Sequence, residues 1–585
     1  MHDSQLTMRA ISIRAGITLA VAAALPCAPE PARCDDANRY SALSEITTNN
    51  VAQLTLTFSL ELPARTGYFV APQIAGGTLF VLAPFPHTLY ALELQGGAAG
   101  SVKWRYSPKV QPAATALRPS EPTVFGPTLS RDSLYLNTLD GHTIALDADT
   151  GQVKWDRRTA DFGNGETLVS APLVVGENVI IGNAGDDFGA RGWIEALDRN
   201  TGEERWRKYS TGPDSDVGIG AGFRPFYGAD KGSELGTASW PPDGWRHGGG
   251  TASGALAYDA GLDQIVHGTD HPAPANPQQR PGDNKWTSGL FARDSATGAA
   301  RWFTQLNPHD VYGLGATNAN VLVDRDWRGD KRRLLLHADA NGFVYVLDRE
   351  SGEILSAEPF APVNAVAAID TRTGTPRRKE EKAVRGDTPV RDVCPAAPGA
   401  NLGAPAYSEQ SGLLFIPAMF LCMDLRVQPV GYMPGTAYSG VTRRLKQMPG
   451  QPRGALVAWD VAKAAAAWTV PERFPLQGGV LATAGHLVFY GTLDGWFRAV
   501  DSRDGHIAWA YKTNSEIAGQ PITYSGSDNR QYVAVVSGLS GGAGAVGDDD
   551  VDSRDLTAAS GYANALPDLP RPAEAAGRLQ IFRLP

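Results

Sequence analysis

Residues 268–320 read GTDHPAPANPQQRPGDNKWTSGLFARDSATGAARWFTQLNPHDVYGLGATNAN. The middle of this stretch, A-R-D-S-A-T-G-A-A-R-W from Ala292 to Trp302, is one copy of a unit that recurs along the chain. Each unit is an alternating apolar strand, a turn built on Asp and Gly, and a second strand ending in Trp. Asp accepts backbone N–H bonds in the turn, and Gly takes the positive φ. Earlier copies begin at Ala91, Ala145 and Ala196, and later ones at Val346, Ala458 and Ala499. A terminal Trp is large enough to pack between neighbouring sheets. A hairpin repeated every several dozen residues predicts an all-β fold: an eight-bladed β-propeller of four-stranded antiparallel blades with Trp-docking repeats.

Most gaps between copies fit one blade. Those from 196 to 292 and from 346 to 458 fit two blades each, or one blade with long loops. Leu256–Val266 reads as a degenerate hairpin in the first of these gaps. Three stretches interrupt the repeats, at about 207–250, 357–405 and 423–456. Long loops of this kind are usually functional and in a propeller gather at one end of the channel. The Gly-, Ala- and Asp-rich tail at about 540–575 is expected to wrap the outside. Its D-D-D-V-D run (Asp548 to Asp552) reads as a solvated acidic loop, since the Gly-and-Glu pattern of a calcium loop is missing.

Composition narrows the function. A net charge of −9 argues against nucleic acid as a partner. Arg9 and Arg14 precede an apolar run, Ala15 to Ala28, too short to span a bilayer. This predicts export to the periplasm, with residues 1–35 as signal peptide and lead, residues 36–585 as a single propeller, and no transmembrane segment in the mature form. Of the four cysteines, Cys27 and Cys34 lie in or near the signal. Cys394 and Cys422 remain, and in an exported chain such a pair is expected to form a disulfide. No C-x-x-C-H occurs, so no haem is expected.

Several stretches carry a resemblance. They include G-G-G-T-A-S-G-A-L-A-Y-D, R-P-G-D-N-K-W-T, P-H-D, H-A-D-A-N-G-F-V-Y-V-L-D-R and L-A-T-A-G-H-L-V-F-Y-G-T-L-D-G-W-F. In order and nearly without gaps from Arg39 onward, the chain resembles the PQQ-dependent methanol and ethanol dehydrogenases. The resemblance implies PQQ flat in the channel of an eight-bladed propeller, with Ca²⁺ or a lanthanide as Lewis acid, an Asp as base, and hydride transfer from an alcohol to the quinone. It also implies the pairing of Cys394 with Cys422.

Carried over residue by residue, the implied site is largely replaced. The metal-binding Glu falls at Asp187, the metal-binding Asn at His271 and the catalytic Asp at Gly313. The Arg at the quinone oxygen falls at Ala340, the stacking Trp at Ser253, and the adjacent cysteines at Arg118 and Pro119. Outer contacts fall at Phe69, Val169 and Gln477, whereas Asn401 keeps its Asn. No metal is expected at Asp187, His271 and Gly313, because imidazole is a poor ligand for a hard cation.

Three functions follow. In the first, a rebuilt quinoprotein holds PQQ with Asn401 and Arg118, and His271 acts as base with Asp187 orienting it; His271 as a hydrogen-bonded wall residue is an equal alternative. The second is a non-catalytic propeller that binds a small molecule in an apolar, roomier channel, or a periplasmic protein partner or electron acceptor. The third is a repurposed non-redox enzyme using Asp186, Asp187, His271 and Tyr312.

Overall fold

The computed structural model describes residues 38–64, 67–117, 124–540, 561–570, 572 and 576–585. Residues 1–35, including Cys27 and Cys34, lie outside them, as do Arg118, Pro119 and Asp548 to Asp552.

Each repeat folds as its residue types require. Asp147 Oδ1 accepts from the backbone N–H of Asp149 (3.1 Å) and Thr150 (2.9 Å), and Asp294 Oδ1 accepts from those of Ala296 and Thr297. Gly151 and Gly298 close these turns at φ of 72° and 70°. The same turn Gly lies against the Trp of the preceding sheet. A Cβ on Gly352 would sit 2.6 Å from Trp302 Cε3, and one on Gly202 2.7 Å from Trp155 Cε3. The indole N–H groups complete the contact: Trp155 donates to Arg199 O and Trp302 to Arg349 O, each at 2.9 Å.

These hairpins build seven sheets in chain order, at 73–106, 128–158, 173–209, 257–305, 320–359, 406–472 and 481–512. Each has four antiparallel strands, and the seventh adds Tyr40–Ser41 in parallel pairing with Leu481–Thr483. The eighth joins the two ends of the chain: Thr55–Leu62 pairs antiparallel with Gly577–Arg583, which pairs with Gln531–Ser537. Apolar clusters link every sheet to the next. Leu336 and Val346 of the fifth meet Leu414 and Val457 of the sixth. Leu62 and Ile581 of the eighth meet Leu79 and Leu134 of the first two. The molecule is a β-propeller.

The long gaps resolve in favour of one sheet each with long loops. Ala257–Asp259 and Gln264–Gly268 form the hairpin expected in the first gap and are the first two strands of the sheet that contains Ala292. The sixth sheet is interrupted between Leu413–Met419 and Gly454–Asp460, where Leu421–Val427 and Val441–Gln447 form a hairpin of their own. Val390–Val393 joins this hairpin, and Cys394 is disulfide-bonded to Cys422 there. The expectation that the tail wraps the outside fails for its described part. Tyr562 and Leu566 are buried in one cluster with Val311, Leu314, Met423 and Leu445. Arg453 fixes the segment through Asp568, with Nη2 to Oδ2 at 2.8 Å. Among the described residues, no helix is long and apolar enough to cross a membrane.

Glu516 is fully buried just before the eighth sheet, where its Oε2 accepts from Ser540 N at 2.9 Å. Burial pushes its carboxyl up from 4.5 to about 7. Because the folded value is the higher one, its contribution to stability is complete below about pH 4.5 and is lost as pH rises through 7. Glu516→Gln is therefore expected to flatten this decline, which approaches 1.4 kcal/mol per pH unit in that window. Urea titrations of both proteins across the window test it, and parallel pH profiles would refute it. At the turns, Gly352→Ala meets Trp302 and takes a positive φ, so a loss of about 2 kcal/mol is expected in the same assay.

Candidate functional site

Loops at one end of the third to sixth sheets converge. The R-P-G-D-N-K-W motif sets the one between Gln264–Gly268 and Gly289–Asp294. Arg280 is 1% exposed and donates to Asn284 Oδ1 at 2.7 Å, and also to Pro274 O and Asp310 O. Lys285 pairs with buried Asp230 at 2.6 Å, which ties in the 207–250 stretch. Both motif residues are structural.

Asp310, the Asp of P-H-D, shapes the next loop. Its carboxylate accepts from the backbone N–H of Tyr312 and Gly313 (3.0 Å each) and of Leu314 and Gly315 (2.9 Å each). Burial alone would raise its pKa, but these bonds and the charges of His271 and Arg280 hold it below the ordinary value. Tyr312 uses its hydroxyl on Lys382 O at 2.7 Å, so it serves this framework.

Asp187, His271 and Gly313 are brought to one place. His271 Nε2 lies 3.9 Å from Asp187 Oδ1, too far for a hydrogen bond, and the Asp187 side chain is half exposed. The expected orientation of His271 by Asp187 is therefore not made. Asp270 holds the His271 backbone N–H at 2.8 Å, and His271 Nδ1 lies 3.4 Å from Pro272 O. Asp186 is buried behind them and accepts from Thr251 N at 2.9 Å and from Thr251 Oγ1. Burial, reinforced by Asp270, pushes Asp186 up to about 8. Burial lowers His271, but Asp270, Asp187 and Asp186 outweigh it, and the net shift is upward.

Gly313 has φ 73°, and a Cβ there would lie 2.2 Å from Nη2 of Arg443. The guanidinium thus fills the space that a side chain at 313 would need. Arg443 stands on Val441–Gln447, and Leu425 is its partner in the neighbouring strand. The segment before it is bonded to both loops of the site: Tyr438 N donates to Asp187 O at 2.6 Å, and Ala275 N to Ser439 O at 2.7 Å. Tyr432 stacks on His247 with ring centroids 3.5 Å apart. Arg443 Nε and Nη2 are buried without a hydrogen-bond partner, as are Asn401 Oδ1 and both amide atoms of Gln477.

The remaining replaced positions are apolar or committed elsewhere. Ser253 Oγ donates to Asp270 at 3.1 Å. Val169 packs with Ala114, Val124 and Ala184, and Phe69 meets Phe125 edge-on. Ala340 adds no room, because a Cβ on Gly399 would lie 2.5 Å from its methyl. Asn401 Nδ2 donates to Ala338 O at 3.1 Å. Arg443, Asp186 and Asp270 were not singled out together by sequence. Neither V-T-R-R nor P-H-D-V-Y-G carries a signal that would have paired them. Among the described residues, no three His, Cys, Asp or Glu side chains are grouped to hold a metal.

The family of PQQ glucose/ethanol/alcohol dehydrogenase β-propeller domains matches residues 29–373 and 442–533. The lanthanide-dependent methanol dehydrogenase of Methylacidiphilum fumariolicum (strain SolV) is 37% identical over 553 residues, covering 93% of this chain and 90% of the relative. The quinoprotein ethanol dehydrogenase of Pseudomonas aeruginosa is 32% identical, covering 94% and 89%. Among solved structures, a europium-containing methanol dehydrogenase superposes with a TM-score of 0.91 at 36% identity, covering 95% of this chain and 99% of that one.

Replacing Asp310 with Ala leaves four buried N–H groups without an acceptor. Asp310→Ala is expected to cost about 3 kcal/mol or more in denaturant unfolding. A change within 1 kcal/mol would show that the loop does not depend on this carboxylate.

Proposed function

This chain belongs to the β-propeller family of PQQ-dependent glucose, ethanol and alcohol dehydrogenases, and we propose that it is an exported member whose channel keeps an organic ligand site but not the metal. In this reading residues 1–35 are the signal and lead, and the eight sheets are the eight blades of one periplasmic ring spanning residues 36–585.

The carrying observation is Arg443 in the space beside Gly313. A hard cation needs several oxygen donors with negative charge. Here the donor set is a half-exposed Asp187, an imidazole and a glycine, with a guanidinium alongside. Ca²⁺ or a lanthanide does not fit. PQQ, an anion rich in carbonyl and carboxylate oxygens, fits better the partnerless N–H donors of Gln477 Nε2 and of Arg443 Nε and Nη2. When bound, it supplies a two-electron acceptor. His271 would receive at Nε2 the proton of an oxidised alcohol, and a periplasmic electron acceptor would be the partner. The apolar contacts of Phe69 and Val169 and the missing side chain at 313 favour a second reading, a binding propeller without redox turnover.

Protein exported in a host supplied with PQQ and with Ca²⁺ or La³⁺ tests the proposal by cofactor and metal analysis. PQQ near one per chain with metal far below one is expected, and added La³⁺ should not raise dye-linked alcohol oxidation. Stoichiometric metal would sink the proposal. Bound PQQ without any turnover would select the second reading.

A further inference from the structure

Arg443 has surroundings that call for a group the chain does not supply. Its Nε and Nη2 are both buried, and neither has a hydrogen-bond partner. Those two N–H groups lie on one edge of the guanidinium and point the same way. That edge is the fork that meets both oxygens of a carboxylate. A charged fork buried without partners is costly, and an outside anion relieves that cost. The strand that carries it is also held in place. It pairs with Leu421–Val427, and the segment leading into it is bonded to Asp187 O and to Ala275 N.

The surrounding charges explain why no internal carboxylate answers it. Asp310 is saturated by four backbone amides and Ser288. Asp186 is committed to Thr251, and Asp270 to Ser253 and the His271 N–H. Asp187 faces His271.

Building on the reading of the channel as a ligand site, we propose that Arg443 is a carboxylate receptor. It grips one carboxylate of the channel ligand side-on through Nε and Nη2, so that a fixed guanidinium provides the positive charge at the position beside Gly313. The carboxylate belongs either to PQQ or to a substrate-like acid.

The test uses the mature full-length chain in EDTA with two probes, PQQ and mandelate, and with the methyl ester of mandelate as control. Calorimetric titration is expected to show PQQ binding without metal. Arg443→Gln should weaken it roughly 10- to 100-fold, with Arg443→Lys in between, because a lysine cannot form the fork. Mandelate binding that is lost in its ester and in Arg443→Gln, with no PQQ binding, would keep the receptor and discard the PQQ reading. Binding of both probes unchanged by Arg443→Gln, binding that needs added metal, or no binding of either probe would overturn the receptor. Thermal unfolding of ligand-free Arg443→Met separates a receptor from a structural arginine. Removing a half-buried guanidinium with two unanswered N–H groups should leave the midpoint unchanged or raise it, and a large fall would overturn the proposal.

Discussion

The antiparallel pairing of Thr55–Leu62 with Gly577–Arg583 holds the two ends of the chain in one sheet, and the other sheets depend on it. Sheets packed face to face leave an apolar face open at each end of the row. Joining the ends covers both, so that Leu62 and Ile581 share a cluster with Leu79 and Leu134. Once the ring is closed, the loops at one end of the sheets have nowhere to go but toward one another. Asp187, His271, Gly313 and Arg443 come from distant parts of the sequence and meet for that reason.

Within the site, the backbone framework and the reactive surface have separate determinants. The buried ions that shape the loops, Arg280, Asp310 and the Lys285–Asp230 pair, are fully answered by hydrogen bonds. Arg443, Asn401 and Gln477, by contrast, each have buried polar atoms left without a partner. In the reading proposed above, position 313 also undergoes a change of sign. In the family implied by the resemblance, this position bears a carboxylate beside a metal. Here it is occupied from across the site by a guanidinium.

The repeat hairpins were legible in sequence because their cause is local: an Asp that caps its own turn, a Gly at positive φ and a Trp at a fixed offset. The disulfide was legible as the cysteine pair left outside the signal, with the resemblance in support, and the resemblance singled out Asp187 and His271, which lie 3.9 Å apart. Arg443 was not legible. It reaches Gly313 through a hairpin inserted in the sixth sheet, and nothing in either local sequence encodes that meeting. The orienting role given to Asp187 also failed, since spacing does not reveal that its side chain points half into solvent while Asp186 turns inward. Arg118 lies outside the described residues. The tail was misjudged because its composition is rich in Gly, Ala and Asp, while a few residues, Tyr562, Leu566 and Leu569 with Asp568 on Arg453, pack the segment.

The strap from Val430 to Gly440, with the Tyr432 ring stacked on His247, ties together loops that are far apart in sequence. The strap is fastened at two sites, to Asp187 O and to the 274–279 loop through Gln279 and Ala275. Because these bonds lie at both ends of the strap, at Val430 and at Tyr438 and Ser439, breaking one end does not free the segment, and it moves away only when both have opened.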